Sequence, residues 1–198
     1  REAEAAARTL GAVEMAILDC GDGGLRTGPA EEDAVIAVLR RLRPELVLAP
    51  PPRDRHPDHG RAHELTVAAC FYAGLAGRLV AGPDAALAPH RPAALFWYMQ
   101  HDPFEPDFVV DVSASWETRR RALACYASQL HPAAGGGEGG EEAPGPPTKV
   151  ASRGFALALE GRARQFGFLI GAEHGEPFAG RLPLAVDDPL AVIPAGIR

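Results

Sequence analysis

The sequence predicts an α/β domain on a largely parallel sheet, and three observations predict it. Helix-like and strand-like segments alternate along most of the chain, the pattern of helices packed on a parallel sheet. At 198 residues and 46% apolar content, the chain is long enough to bury one full hydrophobic core. Its most polar turn chemistry, "LDCGDGG" and "APPPRDRHPDH", directly follows two strand candidates, the position where open α/β sheets bind ligands.

The elements follow in order. "REAEAAARTLG" is rich in Ala and Glu and ends on Gly11, a helix stop. "VEMAILD", Val13 to Asp19, is a short apolar run that reads as a strand. "CGDGGLRTGP" is turn chemistry. "EEDAVIAVLRRLR" opens with acids and closes with arginines, which suits a helix dipole, and Val35, Val38, Leu39 and Leu42 fit a helical stripe. "ELVLAP" is a compact buried strand, and a helix follows from Pro57 or Asp58 to about Gly77. "AALFWYMQ" and "DFVVDVS" are strands, and "ASWETRRRALACYASQL" is a helix capped by Ser113 or Ser115. The Gly-, Pro- and Glu-rich stretch over about 132–148 is a flexible surface loop. "VASRGFALALEGRARQFGFLIG" is the last helix, and the tail from Glu173 shows no strong period.

Composition narrows the function. A net charge of −6 without a long basic run argues against nucleic acid as a partner. No stretch approaches the roughly 20 apolar residues of a membrane helix. Cys20, Cys70 and Cys125 are scattered and odd in number, which excludes a disulfide framework or a CxxC zinc site and points to a cytoplasmic protein with small buried thiols.

Function concentrates in Pro52 to His63, where His56, His59 and His63 stand among Asp54, Asp58, Arg53, Arg55 and Arg61. If Pro57 opens a helix, His56 and His59 converge on its first turn. Imidazole is the commonest ligand for zinc-like ions, yet HxxH supplies two ligands where a catalytic zinc takes three. The alternatives are a solvated turn, or a three-histidine cage that includes His63, which otherwise packs one turn deeper. Asp19 and Asp22 either line a pocket or form Asx turns, and Gln100, His101 and Asp102 follow another strand end.

"APPPRDRHPDHGRAHELTVAACFYAGL" resembles the second signature of the PIG-L (LmbE-like) N-acetylglucosamine deacetylase family. "REAEAAARTLGA", "FWYMQHDPFEPDFVVDVS" and "RARQFGFLIGAEHGEPF" are similar to segments of its bacillithiol-biosynthesis branch, so the resemblance runs from Arg1 to about Asp188. It implies a Rossmann-like three-layer sandwich with a mostly parallel sheet, spanning 1–198 as a single domain and lacking its N-terminal strand. It implies zinc, one ion per site with other divalent metals as substitutes, and a small-molecule N-acetylglucosaminyl substrate, N-acetylglucosaminyl malate in this branch. A homo-oligomer without membrane or nucleic-acid partners is also implied.

By the same resemblance His59 is a metal ligand, and His56 is the charged imidazole that stabilises the oxyanion or protonates the leaving amine. Asp58 holds His56. Arg55 is a candidate for substrate carboxylates or for a surface ion pair, and Gln100 is a candidate at the pocket rim. His174, in "GAEHGE", stands where relatives carry Tyr and is a candidate hydrogen-bond donor to the oxyanion. The family's first signature, "HPDD", supplies two further ligands and the base, and this chain does not contain it. The expectation is an N-terminally truncated sequence. The rivals are a non-catalytic fragment or degenerate sugar-binding scaffold of the same fold, and a deacetylase of this family that acts on another N-acetylglucosaminide.

Overall fold

A computed structural model describes residues 1–80, 87–131 and 148–193. The helices are α1 Glu2–Thr9, α2 Pro29–Leu42, α3 Pro57–Ala73, α4 Trp116–Ala124 and α5 Arg153–Leu169, and the strands are β1 Leu46–Ala49, β2 Ala94–Tyr98, β3 Phe108–Asp111 and β4 Gly175–Gly180. The strands form one sheet in the order β1-β2-β4-β3. The α/β class is the one expected, and β1 and β2 pair in parallel from Leu46↔Ala94 to Ala49↔Trp97. The loop expected over about 132–148 lies, but for its last residue, outside the described residues.

The sheet is mixed, because β4 pairs antiparallel to β2, Phe96↔Gly180 to Tyr98↔Phe178. β4 is "GEPFAG", two glycines and a proline with no β-branched residue, so its composition carried no strand signal. Packing makes it a strand. Phe178 is buried and stacks on Phe108 with centroids 5.5 Å apart. A Cβ on Gly180 would lie 2.8 Å from Phe96 Cδ1, so only glycine lets the backbone approach that ring.

Val13 to Asp19 is not a strand. Val13 is 105% and Ile17 77% exposed, and among the described residues no sheet ladder includes them. An apolar run becomes a strand only when a neighbour takes its N–H and C=O groups. The stop of α1 is as expected: Gly11 has φ +75°, and Ala12 N–H reaches Ala7 O at 2.9 Å while Gly11 N–H reaches Arg8 O at 3.1 Å, a Schellman closure.

The chain forms two compact units, Ile17–Phe108 with Pro177–Ala185, and Arg1–Ala16 with Val109–Glu176 and Val186–Arg198. In the first, α2 packs on α3 around Ile36, Leu39, Ala69, Cys70, Ala73 and Val80. The buried face of α2 is Ile36, Ala37, Leu39 and Arg40, with Val35 at its margin, so the stripe is turned from the one expected. Burial pushes the Cys70 thiol up to about 11, in line with an unreactive core thiol. Among the described residues no helix is long and apolar enough to cross a membrane.

Arg40 is 4% exposed, and its guanidinium donates to Ala73 O at 3.0 Å and Leu75 O at 2.8 Å. It thus satisfies carbonyls at the end of α3, where a cation also meets the negative end of the helix dipole. Arg40→Met keeps the stem and removes both donors. We expect it to lower unfolding free energy by about 2 kcal/mol, read as a lower urea midpoint at unchanged m-value; an unchanged midpoint would show that water replaces the guanidinium without loss.

Candidate active site at the strand ends

The chain leaves β1 through Pro50, Pro51 and Pro52 and enters α3 at Pro57. Proline fixes φ along this turn, and Pro51 is fully buried. Two features clamp the turn to α3. A Cβ on Gly60 would stand 3.0 Å from Pro52 O, and His63 Nδ1 is 2.9 Å from Pro50 O. The His63 ring also meets Trp97 edge-on at 5.2 Å. His63 is therefore engaged in support, as its deeper turn suggests.

His56 is the N-cap of α3, with φ −91° and ψ 124°, and its Nδ1 accepts the Asp58 N–H at 3.2 Å. An imidazole here takes the part usually played by Ser, Asp or Asn. Because Nδ1 accepts, the neutral ring carries its proton on Nε2, and His56 is exposed. The His56 and His59 rings lie 5.3 Å apart, centroid to centroid. Asp58 reaches His56 through its main-chain N–H, while its carboxylate accepts Leu25 N–H at 3.1 Å and Arg61 Nη1 at 2.7 Å. Burial pushes the Asp58 carboxyl up, but those two donors outweigh it and hold it below its usual range.

Asp54 is the residue that sequence reasoning passed over. Its carboxylate has a fully buried side chain and hydrogen-bonds His59 Nδ1 through Oδ2. Its Oδ1 accepts His101 N–H at 3.2 Å and Asp102 N–H at 2.6 Å. Burial raises this carboxyl, and the N–H of Asp102, the His59 ring and the N–H of Arg55 together bring it below its usual value. On the far side of the ring, His59 Nε2 lies 3.0 Å from Gln100 Nε2. The loops that follow the parallel strands β1 and β2 thus meet at one carboxylate and one imidazole.

The remaining candidates fall as follows. Arg55 is exposed beside His56. Asp19 is exposed, its carbonyl bound by Arg26 Nη2 at 2.7 Å, and Asp22 is an exposed turn residue. His174 belongs to the other unit and is described within it: 3% exposed, stacked on Trp116 at 4.1 Å and 9°. Its main chain is held by Ser113 Oγ at 3.0 Å, and neither of its buried ring nitrogens has a hydrogen-bond partner. Beside it, α5 and β4 cross closely, since a Cβ on Gly175 would lie 2.7 Å from Gly167 N.

The donor set fits one arm of a zinc site, an imidazole with Nε2 directed away from a carboxylate partner. Among the described residues, one group of three side chains is close enough to hold a cation, Asp54, His101 and Asp102, with ligand atoms within 4.8 Å of one another. Both Asp54 oxygens in that group already accept N–H donors.

Fold and site together define a Rossmann-like α/β protein with an imidazole–carboxylate centre beyond its strand ends. Residues 1–70 match the family model described as PIG-L, GlcNAc-PI de-N-acetylase. A diacetylchitobiose deacetylase from Thermococcus kodakarensis is 33% identical over 132 residues, 65% of this chain and 48% of that protein. A 4-oxalmesaconate hydratase from Pseudomonas putida is 31% identical over 137 residues, 66% of this chain and 50% of that one. The chain thus spans about half the length of the curated relatives it matches. The solved structure of the conserved protein TT1542 from Thermus thermophilus aligns with TM-score 0.78 and 32% identity, over 95% of this chain and 74% of that one. The chain belongs to the PIG-L family.

Proposed function

We propose that the protein is a zinc-dependent deacetylase that hydrolyses the N-acetyl group of a glucosaminyl conjugate, with N-acetylglucosaminyl malate of bacillithiol biosynthesis as the favoured substrate. The observation that carries the reading is the pair of imidazoles at the start of α3, 5.3 Å apart, with the neutral His56 ring protonated on Nε2 and the His59 ring backed by a carboxylate. Similarity to a diacetylchitobiose deacetylase supports the sugar class.

Zinc bound to His59 would lower the pKa of water and polarise the amide carbonyl. The chain's own groups work around that chemistry. His56 directs Nε2–H outward, to donate a hydrogen bond to the developing oxyanion. To pass a proton to the leaving amine the ring first takes a second proton on Nδ1, releasing the Asp58 N–H, and the imidazolium returns to the neutral ring as the amine departs. Asp58 fixes the helix start that carries His56. Arg55 meets the substrate's carboxylates with a planar fork, and Gln100 offers its amide at the rim. His174 is kept as a catalytic candidate on its own environment, a buried imidazole whose ring nitrogens make no hydrogen bond and whose Nδ1 lies 4.0 Å from Glu173 Oε1. A cytoplasmic homo-oligomer completes the reading.

The 31% identity to a 4-oxalmesaconate hydratase favours a second reading, addition of water to an unsaturated dicarboxylate. One parallel assay separates the two. Zinc-loaded full-length protein is given N-acetylglucosaminyl malate, diacetylchitobiose and 4-oxalmesaconate. Acetate released from a glucosaminide is expected. Hydration of 4-oxalmesaconate without acetate from either sugar transfers the assignment to the hydratase, and sugar binding without turnover transfers it to a scaffold.

A further inference from the structure

Asp54 occupies an unusual position for a surface-loop carboxylate. Its side chain is 0% exposed, while that of the histidine it touches is 30% exposed. It joins two loops that are 47 or more residues apart in sequence. Its partners are nitrogens: His59 Nδ1 on Oδ2, the main-chain N–H groups of His101 and Asp102 on Oδ1, and the Arg55 N–H of its own turn.

Main-chain N–H groups can only donate, so Oδ1 must accept. The carboxylate is acceptor-only on Oδ2 as well, so the proton of a neutral His59 ring sits on Nδ1. Nε2 is then a lone pair, and the Gln100 amide, 3.0 Å away, is correctly disposed to donate to it. We propose that Asp54 is the positioning residue of this centre: it holds His59 in the Nδ1–H tautomer, so that Nε2 is an acceptor, held here by the Gln100 amide, which a cation would displace, and it pins the Gln100–Asp102 loop beside it. For its effect on metal affinity the inference rests on the proposed metal role of His59; the tautomer stands without it.

Asparagine is the discriminating substitution, because it matches aspartate in shape but offers one acceptor and one donor. With its oxygen toward His101 and Asp102, its NH₂ faces His59 Nδ1 and drives the ring proton to Nε2. Turned over, its NH₂ faces two N–H donors and the loop is released. Neither orientation reproduces the native set.

The test uses ¹⁵N-labelled full-length protein, free of metal and at alkaline pH, with long-range ¹H–¹⁵N spectra of the imidazoles. Native His59 is expected as Nδ1–H, and Asp54→Asn is expected to show Nε2–H or a mixture. A chromophoric chelator competing for zinc should report a 10- to 100-fold loss of affinity in the variant, about the size of a lost orienting partner. If native His59 is Nε2–H, or if Asp54→Asn leaves both the tautomer and the zinc affinity unchanged, the inference is wrong. Should Asp54→Asn fail to fold, the native spectrum alone decides. A native protein with the expected tautomer but no zinc binding would remove the metal role of His59 and leave the role of Asp54 standing.

Discussion

Replacing His59 by alanine is expected to lower zinc affinity roughly a hundredfold to a thousandfold. Structural zinc binding is worth about 10–16 kcal/mol shared among about four ligands, so one imidazole carries on the order of 3–4 kcal/mol. The ring is well prepared for the part, with Nδ1 on a buried carboxylate and Nε2 directed away from it. Removing it also strands Asp54 Oδ2 in a buried site, at about 1–3 kcal/mol in stability. His63→Ala is the necessary companion, because His63 lies one turn further on the same helix. Its Nδ1 is committed to Pro50 O and its ring to Trp97. That variant should therefore lose stability and keep zinc affinity within about threefold of native, against the far larger loss of a ligand. Equilibrium competition with a chromophoric chelator measures both. A three-histidine cage requires equal losses, and an unaffected His59→Ala rules out His59 as a ligand.

The site was legible where its logic is local. "HPDH" after "ELVLAP" places two imidazoles at a strand end, and Pro57 places the helix start, so the His56–His59 pair could be read from twelve residues. Asp54 lies in that same stretch but drew no role, because its meaning depends on His101 and Asp102. The available signal was a carboxylate just before an expected metal-binding histidine, where an orienting partner is needed. Asp58 is the residue expected to hold His56, and it meets that ring through its main-chain N–H while its carboxylate binds Leu25 and Arg61. Both aspartates flank the pair, and only the fold distinguishes them.

The same division holds for the fold. β1, β2 and β3 carry β-branched, leucine or aromatic side chains in short runs, and these segments were read as strands. β4 is made a strand by aromatic packing and by glycines that permit close approach, features with no period in sequence. Val13 to Asp19 errs in the other direction: its apolar content was visible, but strand formation depends on a neighbour that composition does not reveal. His174 was singled out from its local motif, while its indole neighbour Trp116 lies 58 positions away and is joined to it only by the fold.

His56 presents two roles that one variant would confuse. As N-cap its neutral ring accepts the Asp58 N–H on Nδ1, and as a proposed acid it directs Nε2–H to solvent once Nδ1 is protonated too. His56→Ala removes both and should cost about 1 kcal/mol of stability as a lost cap, beside its effect on turnover. His56→Asn separates them, since asparagine is among the best N-caps but cannot deliver a proton as an imidazole does. General acid catalysis contributes about 10²–10⁴ in rate, and an oxyanion donor about 10²–10³. Both variants should therefore lose about two to three powers of ten in kcat, with KM and zinc affinity near native, because the ring acts in the transition state and does not hold the ion. Stability should return in His56→Asn alone. If turnover returns with it, His56 is a helix cap and nothing more, and the proton must come from another group.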